Sequence, residues 1–79
     1  MDGDDSRAAL EEELRQVEAD LAELRRTAAE LRRQIGEGWN EPTDAAERAA
    51  LITQAEEQEA FAEDLEARRD ELRRRLGLD

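Results

Sequence analysis

Two heptad ladders that mirror each other about a short turn constrain the fold of this 79-residue chain more than any other feature. Both advance by alternating steps of four and three residues, which is the spacing of a coiled-coil seam. The first ladder is Leu10, Leu14, Val17, Leu21, Leu24, Ala28, Leu31 and Ile35. The second ladder is Leu51, Ala55, Gln58, Ala62, Leu65, Arg69, Leu72 and Leu76. When the chain is folded back at the turn, the residue numbers of every facing pair, from Ile35/Leu51 to Leu10/Leu76, sum to 86. The pattern predicts an all-α fold, a two-helix antiparallel coiled-coil hairpin.

The segments of the chain follow from where the ladders begin and end. We predict a single domain of residues 6–79 and four segments: a disordered acidic tail over 1–5, helix one over 6–35, a turn over 36–42 and helix two over 43–76.

Capping residues set the predicted helix ends. Asp5 or Ser6 is expected to cap helix one, and Asn40 or Thr43 to cap helix two, by accepting a backbone N–H. Gly36 is expected to stop helix one in the left-handed conformation, and helix two is expected to end before Gly77.

The charge gradient favours the antiparallel direction. Both helices run from an acidic start to a basic end, so a parallel in-register dimer sets like charges beside like. In the hairpin, the expected opposite-charge flanking pairs are Glu11/Arg73, Arg25/Glu59, Glu13/Arg75 and Asp20/Arg68, with Glu18/Glu66 as the exception. Arg69 is expected to extend from the seam to Asp20, and Gln58 to fix the register.

Composition excludes several classes of function. The net charge of −11 opposes binding to nucleic acid or to an anionic membrane. The chain has no cysteine and no apolar run of membrane-spanning length, and its acidic first residues do not resemble a signal peptide. We therefore predict a cytoplasmic protein. Every basic residue is arginine, which suggests a bacterium with a GC-rich genome.

Residues that perform chemistry are scarce. The chain has no His, Cys, Tyr or Lys, and its only serine is Ser6 at an expected cap, so the usual pairs of nucleophile and base are excluded. No carboxylate stands on either ladder, which argues against a metal site inside the hairpin. We predict no enzymatic activity, no catalytic residue, no metal and no cofactor.

Two regions outside the seam are candidate binding surfaces. At the tip, Trp39, Glu41 and Asp44 are candidates for contact with a partner protein, because exposed aromatic residues often anchor partners. In the alternative, the indole of Trp39 folds back over the end of the seam. On the helices, Ile52 and Phe61 are candidates for a second apolar face, through which two hairpins would form a homodimeric four-helix bundle. In the alternative, Phe61 only covers the seam.

The tip sequence resembles that of a known family. The run EPTDAAE, from Glu41 to Glu47, resembles the acidic hairpin tip of Gre-type transcript cleavage factors, whose pattern reads DLSENAE. The resemblance implies a coiled-coil hairpin that enters the secondary channel of RNA polymerase, with Glu41 and Asp44 as the acids that help to hold a catalytic Mg²⁺. Pro42 replaces the leucine of the family, and Arg48 replaces the tyrosine that follows.

A second resemblance is to the small W-x-G substrates of type VII secretion systems, which are helical hairpins with tryptophan at the turn. The run Trp39-Asn40-Glu41 lacks their glycine, and a chain without tyrosine lacks their C-terminal signal.

These observations predict a non-enzymatic helical-hairpin module for protein–protein interaction that is able to self-associate. A Gre-like regulatory factor of RNA polymerase is the alternative, and a W-x-G-like secretion substrate ranks below it.

Overall fold

The computed structural model describes residues 3–38 and 44–78, which form two long α-helices packed against each other. The first helix, α1, spans Gly3–Glu37, and the second, α2, spans Ala45–Leu76. The described residues include no strand. The pair forms a rod of 62 × 19 × 15 Å. The predicted all-helical fold of two packed helices is confirmed.

The two ladders form the interface between the helices. Every ladder position is buried or half-buried, and all fully buried side chains in the described ranges belong to the ladders. They are Leu14, Val17, Leu21, Ala28, Ala55, Ala62, Leu72 and Leu76. Since burial of apolar surface is the dominant favourable contribution to folding, the seam is the core of this structure.

One buried cluster in the seam joins residues that are distant in sequence. Leu14 and Val17, from the first half of α1, share one buried cluster with Leu72 and Leu76, from the end of α2. Leu10 and Leu65 pack against the same cluster. The cluster therefore contains the predicted facing pairs Leu14/Leu72 and Leu10/Leu76.

Helix α1 is longer at both ends than the sequence predicts. It begins at Gly3 rather than Ser6, so Asp5 and Ser6 lie inside the helix and not at its cap. Asp5 in the first turn favours this extension, because carboxylates interact well with the positive end of the helix dipole. At the other end α1 continues through Gly36, since Arg33 forms ion pairs with both Glu30 and Glu37 across the last turn.

The ends of α2 are defined by two different caps. Its N-cap is Asp44, whose carboxylate accepts a hydrogen bond of 3.0 Å from the Ala46 backbone N–H. The predicted caps Asn40 and Thr43 lie outside the described residues. The helix ends at Leu76, and Gly77 follows with φ of 73°. The backbone N–H groups of residues 77 and 78 donate to the carbonyls of residues 74 and 73, which is a Schellman motif.

Arg69 and Gln58 are the two polar residues of the ladders. Arg69 donates to the neighbouring Asp70, at 3.1 and 3.0 Å, and not to Asp20 as predicted. Asp20 instead accepts a 2.9 Å hydrogen bond from Gln16 on its own helix. Gln58 is half-buried beside Leu24. A local carboxylate one residue away thus satisfies Arg69 without a contact across the seam.

We expect Leu72→Ala to destabilise the protein severely, because Leu72 has no exposed surface. Truncation of a buried leucine costs about 2–5 kcal/mol, and a chain of this length has only about 3–5 kcal/mol available from its core. Thermal unfolding followed by circular dichroism measures the effect. Leu78→Ala is the matched control, since Leu78 is 48% exposed. Equal melting temperatures for the two variants would contradict the assignment of the seam as the core.

Candidate functional site

Of the three residues predicted to form a binding surface at the tip, the structure describes only Asp44. Trp39 and Glu41 lie outside the described residues. Asp44 is exposed, and its carboxylate is engaged by the first turn of α2. The structure therefore gives Asp44 a capping role, and the binding role of the tip stays a prediction.

Arg48 joins the two helices near the tip, a role that the sequence analysis did not anticipate. Its guanidinium Nη2 donates to the Gly38 carbonyl oxygen at 2.6 Å. A small cavity of about 70 Å³ lies beside this contact, lined by Gln34, Ile35, Gly38, Glu47, Arg48 and Leu51. An arginine near a helix N-terminus opposes the dipole of its own helix. Here its charge is offset by the carbonyl end of α1, so the unfavourable position was itself a clue to the contact.

Ile52 and Phe61 do not form one face, contrary to the hypothesis drawn from the sequence. They are nine residues apart on a continuous helix, and nine residues at 3.6 residues per turn correspond to two and a half turns. The two side chains therefore point to opposite sides of α2. Ile52 is half-buried, whereas Phe61 is 56% exposed.

The seam thus has two flanks of different character. We define the Phe61 flank by the positions that share the side of Phe61 at seven-residue intervals: Glu13, Asp20, Thr27 and Gln34 on α1, with Glu47, Gln54, Phe61, Arg68 and Arg75 on α2. The opposite side, called the paired flank, consists of Glu11, Glu18, Arg25 and Arg32 on α1, with Ile52, Glu59, Glu66 and Arg73 on α2.

An open groove of about 400 Å³ lies on the Phe61 flank, near the middle of the rod. It is lined by Asp20, Glu23, Leu24, Thr27, Gln58 and Phe61. Leu24 is only half-buried at its floor, because its predicted partner across the seam, Ala62, is small. Phe61 therefore does not close the seam, and the groove presents an aromatic ring and an aliphatic side chain to solvent.

Ion pairs between the helices occupy the paired flank. Arg32 binds both carboxylate oxygens of Glu59, at 2.9 and 2.7 Å, and Arg25 contacts Glu66 at 2.6 Å. The Arg32 hydrogen bond lowers the pKa of the Glu59 carboxyl, and Glu59 raises the pKa of Arg32 in return. The charges on this flank are therefore largely neutralised within the molecule.

The partners in these ion pairs differ from those predicted. Arg25 binds Glu66 rather than Glu59, and this contact also compensates the charge of the like-charged pair Glu18/Glu66.

On the Phe61 flank, Glu13 accepts from Arg68, with Nε–Oε2 of 2.9 Å, rather than from Arg75. Arg68 in turn binds Glu13 rather than Asp20, and it also binds Glu71, whose pKa its hydrogen bond lowers. Arg75 binds Glu71 on its own helix at 2.8 Å.

The last of the predicted pairs, Glu11/Arg73, is also replaced by local contacts. Glu11 pairs with Arg7 on α1, and Arg73 donates to the Leu78 carbonyl.

Two further classes of site are absent from the described ranges. No group of three or more acidic side chains converges there in a way that would hold a metal ion. Neither described helix has a stretch that is long and apolar enough to cross a bilayer.

Comparison with family models, with curated proteins and with solved structures gives no match to this chain. The resemblances of the tip to Gre-type factors and to W-x-G substrates therefore rest on their short motifs alone.

We expect Asp44→Ala to lower stability by about 0.5–2 kcal/mol, the usual cost of losing an N-cap side chain. Asp44→Ser retains an oxygen that accepts the Ala46 N–H, so it should restore most of the loss. Chemical unfolding of the three proteins tests this expectation. If Asp44→Ser proves as unstable as Asp44→Ala, the carboxylate has a role other than capping.

The Glu59–Arg32 ion pair predicts a dependence on pH. Because the folded pKa of Glu59 lies below its ordinary value of 4.5, the pair stabilises the fold above that value and is lost as pH falls through the folded pKa. Glu59→Gln should therefore melt at a lower temperature than wild type at pH 7, and the difference should shrink in acid.

Glu57→Gln is the control for this measurement. It removes one negative charge from an exposed position that has no ion pair among the described residues. A deficit in Glu59→Gln that persisted unchanged at pH 3 would rule out the ion pair as its cause.

Proposed function

We propose that this chain is a non-enzymatic helical-hairpin module for protein–protein interaction, built as an antiparallel coiled coil. The antiparallel direction is supported by contacts between residues that are distant in sequence. Glu13 near the start of α1 meets Arg68 in the second half of α2, and Arg32 near the end of α1 meets Glu59. Both pairs fit reversed helices, because higher numbers on one helix meet lower numbers on the other.

The exposed ring of Phe61 is the single observation that carries the proposed binding role. Phenylalanine is one of only two aromatic residue types in the chain, and it stands outside the seam with 56% of its surface exposed. Aromatic residues are enriched in the cores of protein interfaces, where charged residues are depleted. The adjacent groove supplies Leu24 as a second apolar contact.

The absence of enzymatic activity in this proposal is supported by the side chains that the chain contains. Without His, Cys, Lys or Tyr, general acid–base and covalent catalysis would depend on carboxylates, arginines and a few hydroxyls. A cytoplasmic location, predicted from the sequence, is part of the same proposal, and so is a protein partner rather than nucleic acid or membrane.

We expect Phe61→Glu to abolish most binding to the partner, because a carboxylate in an apolar contact must be desolvated without compensation. The measurement is crosslinking and affinity capture in the native host, comparing wild type with the variant.

The matched control is Ala60→Glu, which adds the same charge in the same turn of α2 at an exposed position away from the seam. Wild type and Ala60→Glu should capture the same protein. Equal capture by all three proteins would remove Phe61 from the binding surface.

A further inference from the structure

We infer that the occupant of the Phe61 flank is a second copy of this chain, docked in the opposite direction with Phe61 packed against Phe61 of the copy. The inference rests on the proposed function, since it names the partner of the same surface. Each copy carries a net charge of −11, so two copies repel each other least where their surfaces carry little charge. Thr27, Gln34, Gln54 and Phe61 give the Phe61 flank an uncharged stretch, whereas seven of the eight residues named on the paired flank are charged.

Helix α2 carries a self-complementary charge pattern along this flank. At seven-residue intervals its residues read Glu47, Gln54, Phe61, Arg68 and Arg75. The sequence is acidic before Phe61 and basic after it. When a second α2 lies antiparallel and is centred on Phe61, Glu47 faces Arg75 of the copy, and Gln54 faces Arg68. A two-fold axis through Phe61 makes every such contact twice, as in an isologous dimer.

Helix α1 is compatible with the same arrangement. Its flank reads Gln34, Thr27, Asp20 and Glu13 from the tip toward the open end. In the antiparallel dimer, Asp20 lies across from Gln34 of the copy, so this carboxylate faces an uncharged side chain. A parallel two-fold dimer through the same flank would set α1 of one copy against α2 of the other, so Phe61 would meet Thr27 of the copy rather than a second aromatic ring.

The apolar contact at the centre supplies the attraction. Phe61 and Leu24 from each copy would bury the groove floor that the small Ala62 leaves half-exposed. Two hairpins joined in this way form a four-helix bundle. A different protein with a basic surface is the competing occupant, since Asp20 and Glu23 are among the residues that line the groove.

Sedimentation equilibrium tests whether the second copy binds. We expect wild type to associate with rising concentration to twice the 9.0 kDa of one chain. Phe61→Ala should remain monomeric, with unchanged helicity by circular dichroism. Ile52→Ala, which alters the opposite side of α2, should associate like wild type. A wild-type protein that stays monomeric at high micromolar concentration would overturn the inference, as would dimerisation that is lost in Ile52→Ala but kept in Phe61→Ala.

The direction of docking is tested by distances between spin labels, since the chain has no native cysteine. Single labels are attached in Ala60→Cys and in Ala46→Cys, both at exposed positions. At a rise of 1.5 Å per residue, the antiparallel dimer separates the two labels along the axis by about 3 Å at residue 60 and by about 45 Å at residue 46. Equal distances for the two variants would overturn the antiparallel docking.

The outcome also separates this inference from the proposed function. If wild type is monomeric but captures another protein in a manner that Phe61→Glu abolishes, the interaction module stands and the second copy is excluded. If wild type dimerises but captures nothing else, the module is a self-association device, as inferred.

Discussion

Burial of one narrow apolar seam between two helices is the constraint on which the rest of this structure depends. A pair of helices leaves both edges of its seam open to solvent. Half of the ladder positions are therefore only half-buried. Leu72 and Ala55 are fully covered, whereas Leu24 and Leu31 are not. Because no described residue outside the ladders is buried, the two helices are held in place by this seam and by the charged side chains beside it.

The charged side chains beside the seam form ion pairs between the helices, and these pairs depend on the seam to hold the helices together. Between the described residues, the side chains of the interhelical ion pairs are 37–52% exposed, and solvent-exposed pairs contribute about 0–1 kcal/mol each. They therefore select register and direction more than they supply stability. Arg48 is a separate case, since its contact with the Gly38 carbonyl oxygen ties the start of α2 to the end of α1 where the seam is ending.

The two flanks differ most in the middle of the rod, where one carries interhelical ion pairs and the other carries an exposed aromatic ring. On the paired flank, Arg25 and Arg32 find carboxylates within the molecule. On the Phe61 flank, the middle of the rod offers the exposed ring of Phe61 beside a groove. The paired flank also has an open groove, but most of the side chains that line it are charged. This asymmetry is a consequence of sequence placement rather than of backbone geometry, because both flanks belong to the same pair of regular helices. It is also the reason why a binding surface is proposed on one side only.

The heptad ladders determined the helical fold, the residues of the core and the end of α2 at Gly77, because the 3.5-residue period and the need for a left-handed cap are local properties of the chain. The tertiary structure decided the ion-pair partners. Each flanking residue has two candidates on the other helix, one heptad or about 10 Å apart, and an arginine reaches either one. Side chains lean toward the N-terminus of their own helix, which brings Arg25 toward Glu66 rather than Glu59. The extension of α1 through Gly36 depended on Arg33 bridging its last turn, and the partial exposure of Leu24 beside Phe61 depended on the small size of Ala62 across the seam.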